Sequence, residues 1–172
     1  YLIQIPTHGY AEIEFGRQKF MSYSQVASII SPQQSLRMHW HANSPQLILK
    51  ISKDDFLHHC RQHIPDTDNT PLIFDPKLDF TSQNGSYFLQ LLRTLMDALA
   101  CDKHPLHHPL AFKQFESNLL NALIYGQPNN GLDKIDSHKD KTISPHFIKR
   151  TEAYIQQHLP EPLSVETLAE QA

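Results

Sequence analysis

Histidine is the residue type most able to do chemistry in this chain. There are twelve among 172 residues, and a neutral imidazole is the commonest protein metal ligand. His39-x-His41 sets two imidazoles on one side of a predicted strand, because strand side chains alternate between faces. His59 and His63 stand four apart on a predicted helix, and "HPLHHP" is a third group in a loop. A structural zinc site takes four ligands, and none of these groups adds further His, Cys or carboxylate ligands at a fixed spacing. Leu36, Met38 and Trp40 alternate with Arg37, His39 and His41, so burying the apolar set turns the histidines outward. Solvated surface histidines, with no metal, are the expectation. No GxSxG and no glycine-rich phosphate loop occurs, and five glycines leave little for a nucleotide cradle. Asp54 and Asp55 suit the first turn of a helix, where its dipole favours negative charge. The residues therefore give no catalytic set and no cofactor, and an enzyme is not expected.

Composition narrows the classes further. Fifteen basic against eighteen acidic residues give a net charge of −3, which excludes a strongly basic nucleic-acid footprint for the segment as a whole. No apolar run is long enough to span a bilayer and no signal-peptide pattern is present, so no membrane partner and a cytoplasmic location are expected. Cys60 and Cys101 lack a CxxC partner and read as reduced thiols. Tyr1 opens a strand-like run without an initiator Met, and the chain stops as a helix begins. Both ends read as cut from a longer chain.

The elements that position these residues change period along the chain. "YLIQIP", "YAEIEF", "QKFMSY", "QVASII", "LRMHWH" and "PQLILKI" are short runs rich in Ile, Phe, Tyr and Val, separated by turn residues. Gly16 suits a hairpin turn, and Pro32 fixes a bend. Such strands predict a small barrel or sandwich. From Ser52, a helix N-cap candidate, the period becomes helical. Phe88, Leu91, Leu92, Leu95, Met96 and Leu99 form one stripe. Leu110, Phe115, Leu119, Leu120, Leu123 and Ile124 form another, from Pro109 to Gly126. Two such helices make a hairpin that either covers the barrel or forms a subunit interface, with Leu91, Leu92, Leu95, Leu99, Phe115, Leu119 and Leu123 as the interface candidates. "GQPNNGLDKIDSHKDKTISP" reads as a solvated linker. Ser144 then caps a third helix carrying Ile148, Ile155 and Leu159.

The tail from Pro145, "PHFIKRTEAYIQQHLPEPLSVETLAEQA", is a helix, a Pro-bearing loop and a Ser-capped helix. It resembles the start of the AraC/XylS-type DNA-binding domain. An "aeyIxxhl" pattern is matched by Ala153, Tyr154, Ile155, His158 and Leu159. A "pLsve.LA" pattern is matched by Pro162, Leu163, Ser164, Val165, Glu166, Leu168 and Ala169. Upstream, "HPLAFKQFESNLLNALIYGQPNN" resembles a block common in the aromatic-catabolism-regulator branch, through Glu116, Leu119, Leu120, Leu123 and Gln127-Pro128. "ISPQQSLRMHW" and "QLILKIS" resemble that branch's cupin-like regulatory domain, with Gln33 standing where Gly is usual. His39-x-His41 also resembles a cupin metal motif, but Gln33, Pro45 and Gln46 stand where that motif has its Gly and its carboxylate.

The resemblance implies an α+β fold: a cupin-like β-barrel over residues 1–76, a helical dimerisation or cover segment over 77–127, a linker over 128–144, and the N-terminal part of a helix-turn-helix domain over 145–172. It implies the effector-binding and dimerisation part of a homodimeric transcription regulator. DNA would be the partner of the full-length protein through Ser164, Val165, Glu166, Thr167, Leu168, Ala169 and Glu170, where the first helix of a helix-turn-helix crosses the backbone. Specific DNA binding by this segment alone is not expected, since the recognition helix is not in the sequence. A small-molecule effector would meet the apolar face carrying Met38 and Trp40, with Gln4 or Tyr10. In the reversed register Arg37 and His39 would face inward and suit a carboxylate. A metal-dependent cupin enzyme and an interaction module with a filled barrel are the alternatives.

Overall fold

A computed structural model describes residues 1–63, 71–132, 154, 155 and 158. The chain divides into one compact unit, Tyr1–Asp133, and a second, Lys134–Ala172. Of the second unit, the described residues show part of a helical turn. The His158 N–H donates to the Tyr154 and Ile155 carbonyls, and the His158 and Tyr154 rings stack 4.1 Å apart. The seven positions from Ser164 to Glu170 lie outside the described residues, as do Ile148 and Leu159.

The six expected strands form as β1 (Leu2–Pro6), β2 (Ala11–Phe15), β3 (Gln18–Ser22), β4 (Val26–Ile30), β5 (Arg37–Trp40) and β6 (Gln46–Lys50). They are followed by α1 (Lys53–His63), a short strand β7 (Lys77–Asp79), α2 (Gln83–Ala100), a 3-10 turn at Pro105–His107 and α3 (Pro109–Gly126). All described strand pairings are antiparallel. Gly16, at φ 58°, makes the tight turn that joins β2 to β3, with Phe15 opposite Gln18. Ser52 caps α1 by accepting from the Asp55 N–H at 3.4 Å, and Ser82 caps α2 by accepting from the Gly85 N–H at 3.0 Å.

The strands predict a barrel or a sandwich; two separate sheets form, and the barrel that the resemblance implies is not closed. The strands make two sheets, ordered β6-β1-β4-β7 and β3-β2-β5. One side is stitched by a backbone pairing between Tyr23 and Val26, where β3 runs into β4. At the other side β5 and β6 are both edge strands with no ladder between them. Proline carries no N–H, and the Pro45 carbonyl accepts from the Thr7 N–H at 2.9 Å. The chain leaving β5 is thus tied into the ladder of β1 instead of that of β5.

The four-stranded sheet is buried on both faces. Tyr1, Ile3 and Ile5 alternate onto the helix side, where Tyr1 and Phe56 of α1 meet at 4.5 Å between ring centroids. Their register partners Ile29 and Leu49 share that face. Gln4 and Ser28, on the opposite face, are also buried. The three-stranded sheet, with Ala11 and Ile13 buried on its own inner face, is the layer left to cover them. Both helical stripes supply the core on the other side, through Phe88, Leu92, Leu119, Leu120, Leu123 and Ile124.

Two further departures have local causes. β7 lies just past residue 76 and extends the sheet through Leu78 opposite Ala27. The segment after α3, expected as solvated linker from residue 128, is docked as far as described. Gln127, itself buried, donates from Nε2 to the carbonyls of Asp75 and Lys77, both at 2.9 Å. Asn129 Nδ2 donates to the carbonyls of Ile124 and Gln127, and Asn130 Oδ1 accepts from the Ile73 N–H.

The turn where Gln33 stands in place of Gly is retained. Gln33 takes φ 66°, the left-handed region that costs a non-glycine residue about 1 kcal/mol or more. The Gln34 N–H bonds the Ser31 carbonyl across it at 3.2 Å. Gln33→Gly removes that cost, though glycine raises the entropy of the unfolded chain. A net gain of about 0.5–1 kcal/mol is expected in urea unfolding.

Candidate functional site

Register decides which side chains face the space between the sheets. Ala11 pairs with Trp40 and Ile13 with Met38, so Met38 and Trp40 share the inner face with two buried residues. On the opposing sheet Ile48 pairs with Gln4, and Gln4 with Ser28. The cleft is therefore lined by Gln4, Ser28 and Ile48 on one wall and Ile13, Met38 and Trp40 on the other. Trp40 and Ile48 lie on inner faces yet are 46% and 48% exposed. Their exposure marks the unladdered β5/β6 side as the mouth.

The cleft floor is polar. Gln4 is only 8% exposed and Ser28 1%, and among the described residues neither side chain makes a hydrogen bond within the protein. Among the described residues no buried side-chain polar atom lacks a partner, so the Gln4 carboxamide and the Ser28 hydroxyl are reached by solvent and open to a ligand. A half-covered indole on one inner face and an amide and hydroxyl free for bonding on the other are the parts of an orienting ligand site: an apolar wall with a few polar groups.

The outer face carries the other sequence candidates. Arg37 pairs with Glu14 and His39 with Glu12, both on exposed positions of β5. The reversed register is not the one formed. Tyr10 also faces outward, its ring 4.0 Å from that of His41, whose Nε2 lies 3.4 Å from Glu12 Oε1. His39 and His41 meet edge to face at 5.2 Å. His59 is buried, with Nε2 2.8 Å from Asn121 Oδ1 of α3, and acts as a link between helices. His107, in the loop cluster, lies within 3.0 Å of the Ala98 and 2.8 Å of the Cys101 carbonyls at the end of α2. Among the described residues no group of three or more His, Cys, Asp or Glu is arranged to hold a metal ion.

The interface candidates fall into three environments. Leu92, Leu119 and Leu123 are buried in the core, and Leu91, Leu95 and Phe115 are half-buried. Leu99 is 75% exposed. A groove of about 400 Å³ runs between β6 and the helices, lined by Leu49, Ile51, Leu95, Phe112, Phe115 and Leu120 among others. It lies across the four-stranded sheet from the cleft. The sequence reading missed Ser28 and Ile48, which only the strand register places beside Gln4.

The sequence model of the AraC-binding-like domain matches residues 1–125, which covers both sheets and most of the helical hairpin. The chain belongs to this family. No curated protein and no solved structure matches it. As an AraC-binding-like domain, the unit has the cupin-like character expected from the sequence, here as two facing sheets. No described helix is long and apolar enough to cross a membrane.

The thiols of this AraC-binding-like domain differ sharply. Cys60 is fully buried, and burial pushes its pKa up from 9.0 to about 11; Cys101 is exposed. A maleimide at pH 7.5 is expected to label Cys101 in the folded protein and Cys60 only after denaturation, read by mass spectrometry. Below pH 9 the Cys60 thiol is neutral in both folded and unfolded states. Between pH 9 and about 11 only the unfolded thiol ionises, so its contribution to stability falls as pH rises through that window.

Proposed function

We propose that this domain is the effector-binding part of an AraC/XylS-type transcription regulator of the aromatic-catabolism branch. It acts in the cytoplasm as a homodimer and controls promoters through a helix-turn-helix domain that begins in the tail. Its role is regulatory, not enzymatic. The cleft between the sheets takes a small molecule with a planar apolar part and a hydrogen-bonding group. The observation that carries this reading is Gln4, whose carboxamide makes no hydrogen bond within the described protein, beside Ser28 on one inner face, with the half-exposed Trp40 on the other. The planar part stacks on Trp40, and the polar group supplies the partner that Gln4 lacks. Effector binding must favour one conformation of the regulator over another, or transcription does not change.

Trp40 is the only tryptophan in the chain, so its fluorescence reports directly on the cleft. A panel of small aromatic acids and sugars is expected to contain a compound that quenches it and raises the melting temperature. Gln4→Leu removes the carboxamide that would bond the ligand's polar group, so it is expected to weaken that compound at least ten-fold while the domain stays folded. Trp40→Ala weakens it similarly and leaves the fold intact. A folded Gln4→Leu variant that binds the compound as tightly as the wild type would overturn the reading. Near-stoichiometric iron, zinc or manganese in the purified protein would favour the metal-enzyme alternative.

A further inference from the structure

The bonding phase of β6 singles out one surface. In an antiparallel ladder, residues that exchange both backbone bonds with the neighbour alternate with residues that turn theirs away. Tyr1 and Ile51 exchange both, at 2.8 and 2.9 Å, and Thr7 bonds the Pro45 carbonyl at the other end. With Ile3 opposite Leu49 and Ile5 opposite Leu47, those pairs are the bonded ones. Gln46, Ile48 and Lys50 therefore point their N–H and C=O groups away from β1. β6 is the last strand of its sheet, so among the described residues no ladder takes up these groups. Ile48 adds an apolar side chain that is 48% exposed.

Edges of this kind pair with other strands unless something blocks them. The other edges are less suited to pairing with themselves: β3 is tied at its end to β4 through Tyr23 and Val26, and β7 has three residues. On β5, pairing about His39 would set Arg37 against His41 and His39 against itself, all on one face. On β6, antiparallel pairing about Ile48 sets Ile48 against itself and Gln46 against Lys50, with no like charges opposed. The apolar groove flanks the strand on the helix side, through Leu49, Ile51 and Phe112, and the exposed Ile48 flanks it on the cleft side. The edge thus lies within an apolar surface that two copies can share.

We propose that a second copy of this chain pairs along β6 about a two-fold axis at Ile48. The two four-stranded sheets join into one continuous sheet, and six backbone bonds form at the seam: two between the Ile48 residues and two for each Gln46–Lys50 pair. An isologous contact of this kind closes as a dimer. This rests on the homodimer reading above and relocates the interface from the helical stripe, three of whose seven candidates are in the core. It also places the mouth of the cleft beside the seam, since Ile48 belongs to both.

The test uses the 172-residue chain in sedimentation velocity from 1 to 200 µM. Ile48→Pro removes an N–H that points away from β1, so the internal ladder keeps its bonds. The wild type is expected to dimerise, and Ile48→Pro to weaken dimerisation at least ten-fold with an unchanged circular dichroism spectrum. Ile48→Lys opposes two ammonium groups at the axis and must do the same; it decides the matter if Ile48→Pro does not fold. Leu99→Glu, on the helical face, is expected to leave the dimer as it is. A folded Ile48→Lys protein as dimeric as the wild type would overturn the seam alone, as would a monomeric Leu99→Glu. A wild type that stays monomeric at 200 µM would remove the homodimer reading along with it.

Discussion

Phe56→Ala is expected to cost about 4 kcal/mol in urea unfolding, the largest effect of any single truncation considered for this domain. Phe56 is fully buried. It sits 4.5 Å from the Tyr1 ring and 5.9 Å from that of Phe74, and those two lie 5.7 Å from each other. The three rings join α1, the start of the first sheet and the segment before β7. Truncation loses the transfer free energy of a benzyl group and leaves a cavity that two neighbouring rings cannot collapse to fill. The tilted ring contacts add to the loss. Tyr1 is further held by its hydroxyl, which donates to the Leu72 carbonyl at 3.0 Å. A cost below about 2 kcal/mol would mean that the cluster repacks.

Gly85→Ala is the second. Alanine is about 1 kcal/mol better than glycine inside a helix, so propensity alone predicts stabilisation. Position 85 reverses the sign. A Cβ there would lie 1.9 Å from the Asp79 carbonyl oxygen and 2.7 Å from its carbon, and both are backbone. The Asp79 oxygen also accepts from the Ser82 hydroxyl at 2.7 Å, and Ser82 in turn caps α2. Moving the carbonyl aside therefore loosens both the cap and the end of β7. A net destabilisation of about 3 kcal/mol is expected, the upper range for inserting one carbon into a packed site. Thermal unfolding checks it. An unchanged melting temperature would show that α2 slides along the sheet at little cost.

These two positions also show what a sequence reveals and what it hides. The strands and helices were legible because each has a period, and their ends because caps and breakers act locally: Ser52, Pro109 and Gly126 mark boundaries that the structure keeps. Gly85 carries no such signal, because its demand comes from a backbone atom six residues away in another element. The open side of the sandwich was also hidden. Closure depends on whether β5 or β1 receives the chain at Pro45, and no alternation pattern encodes that. β7 is only "KLD", too short and too polar to read as a strand. The segment after α3 has the composition of a linker, because the amides of Gln127, Asn129 and Asn130 look the same whether they bond water or backbone carbonyls.

At the candidate site, alternation placed Met38 and Trp40 together and turned Arg37 and His39 away from them. Gln4 was legible as a polar residue in an apolar strand. Tyr10 lies on the outer face, where the alternation of β2 itself sets it with Glu12 and Glu14, opposite to Ala11 and Ile13. Ser28 and Ile48 were out of reach, since only cross-strand register brings residues 4, 28 and 48 into one row. The helical stripes were legible as apolar, but not which of the two roles, cover or interface, each position takes. Leu92, Leu119 and Leu123 are spent on the sheet of their own chain.

The docked segment after α3 has a consequence for how this domain acquires its structure. Gln127 reaches back to Asp75 and Lys77, 52 and 50 positions earlier, and Ile73 bonds Asn130 across 57. Tyr1 in turn is tied to Ile51 and Leu72. The contacts that seal both margins of the main sheet are thus distant in sequence, and each requires the closure of a long loop before any bond repays it. The β7 margin of the main sheet cannot be sealed until the chain has been made to about residue 130. The first 132 residues should unfold as one cooperative block, and refold slowly for a domain of this size.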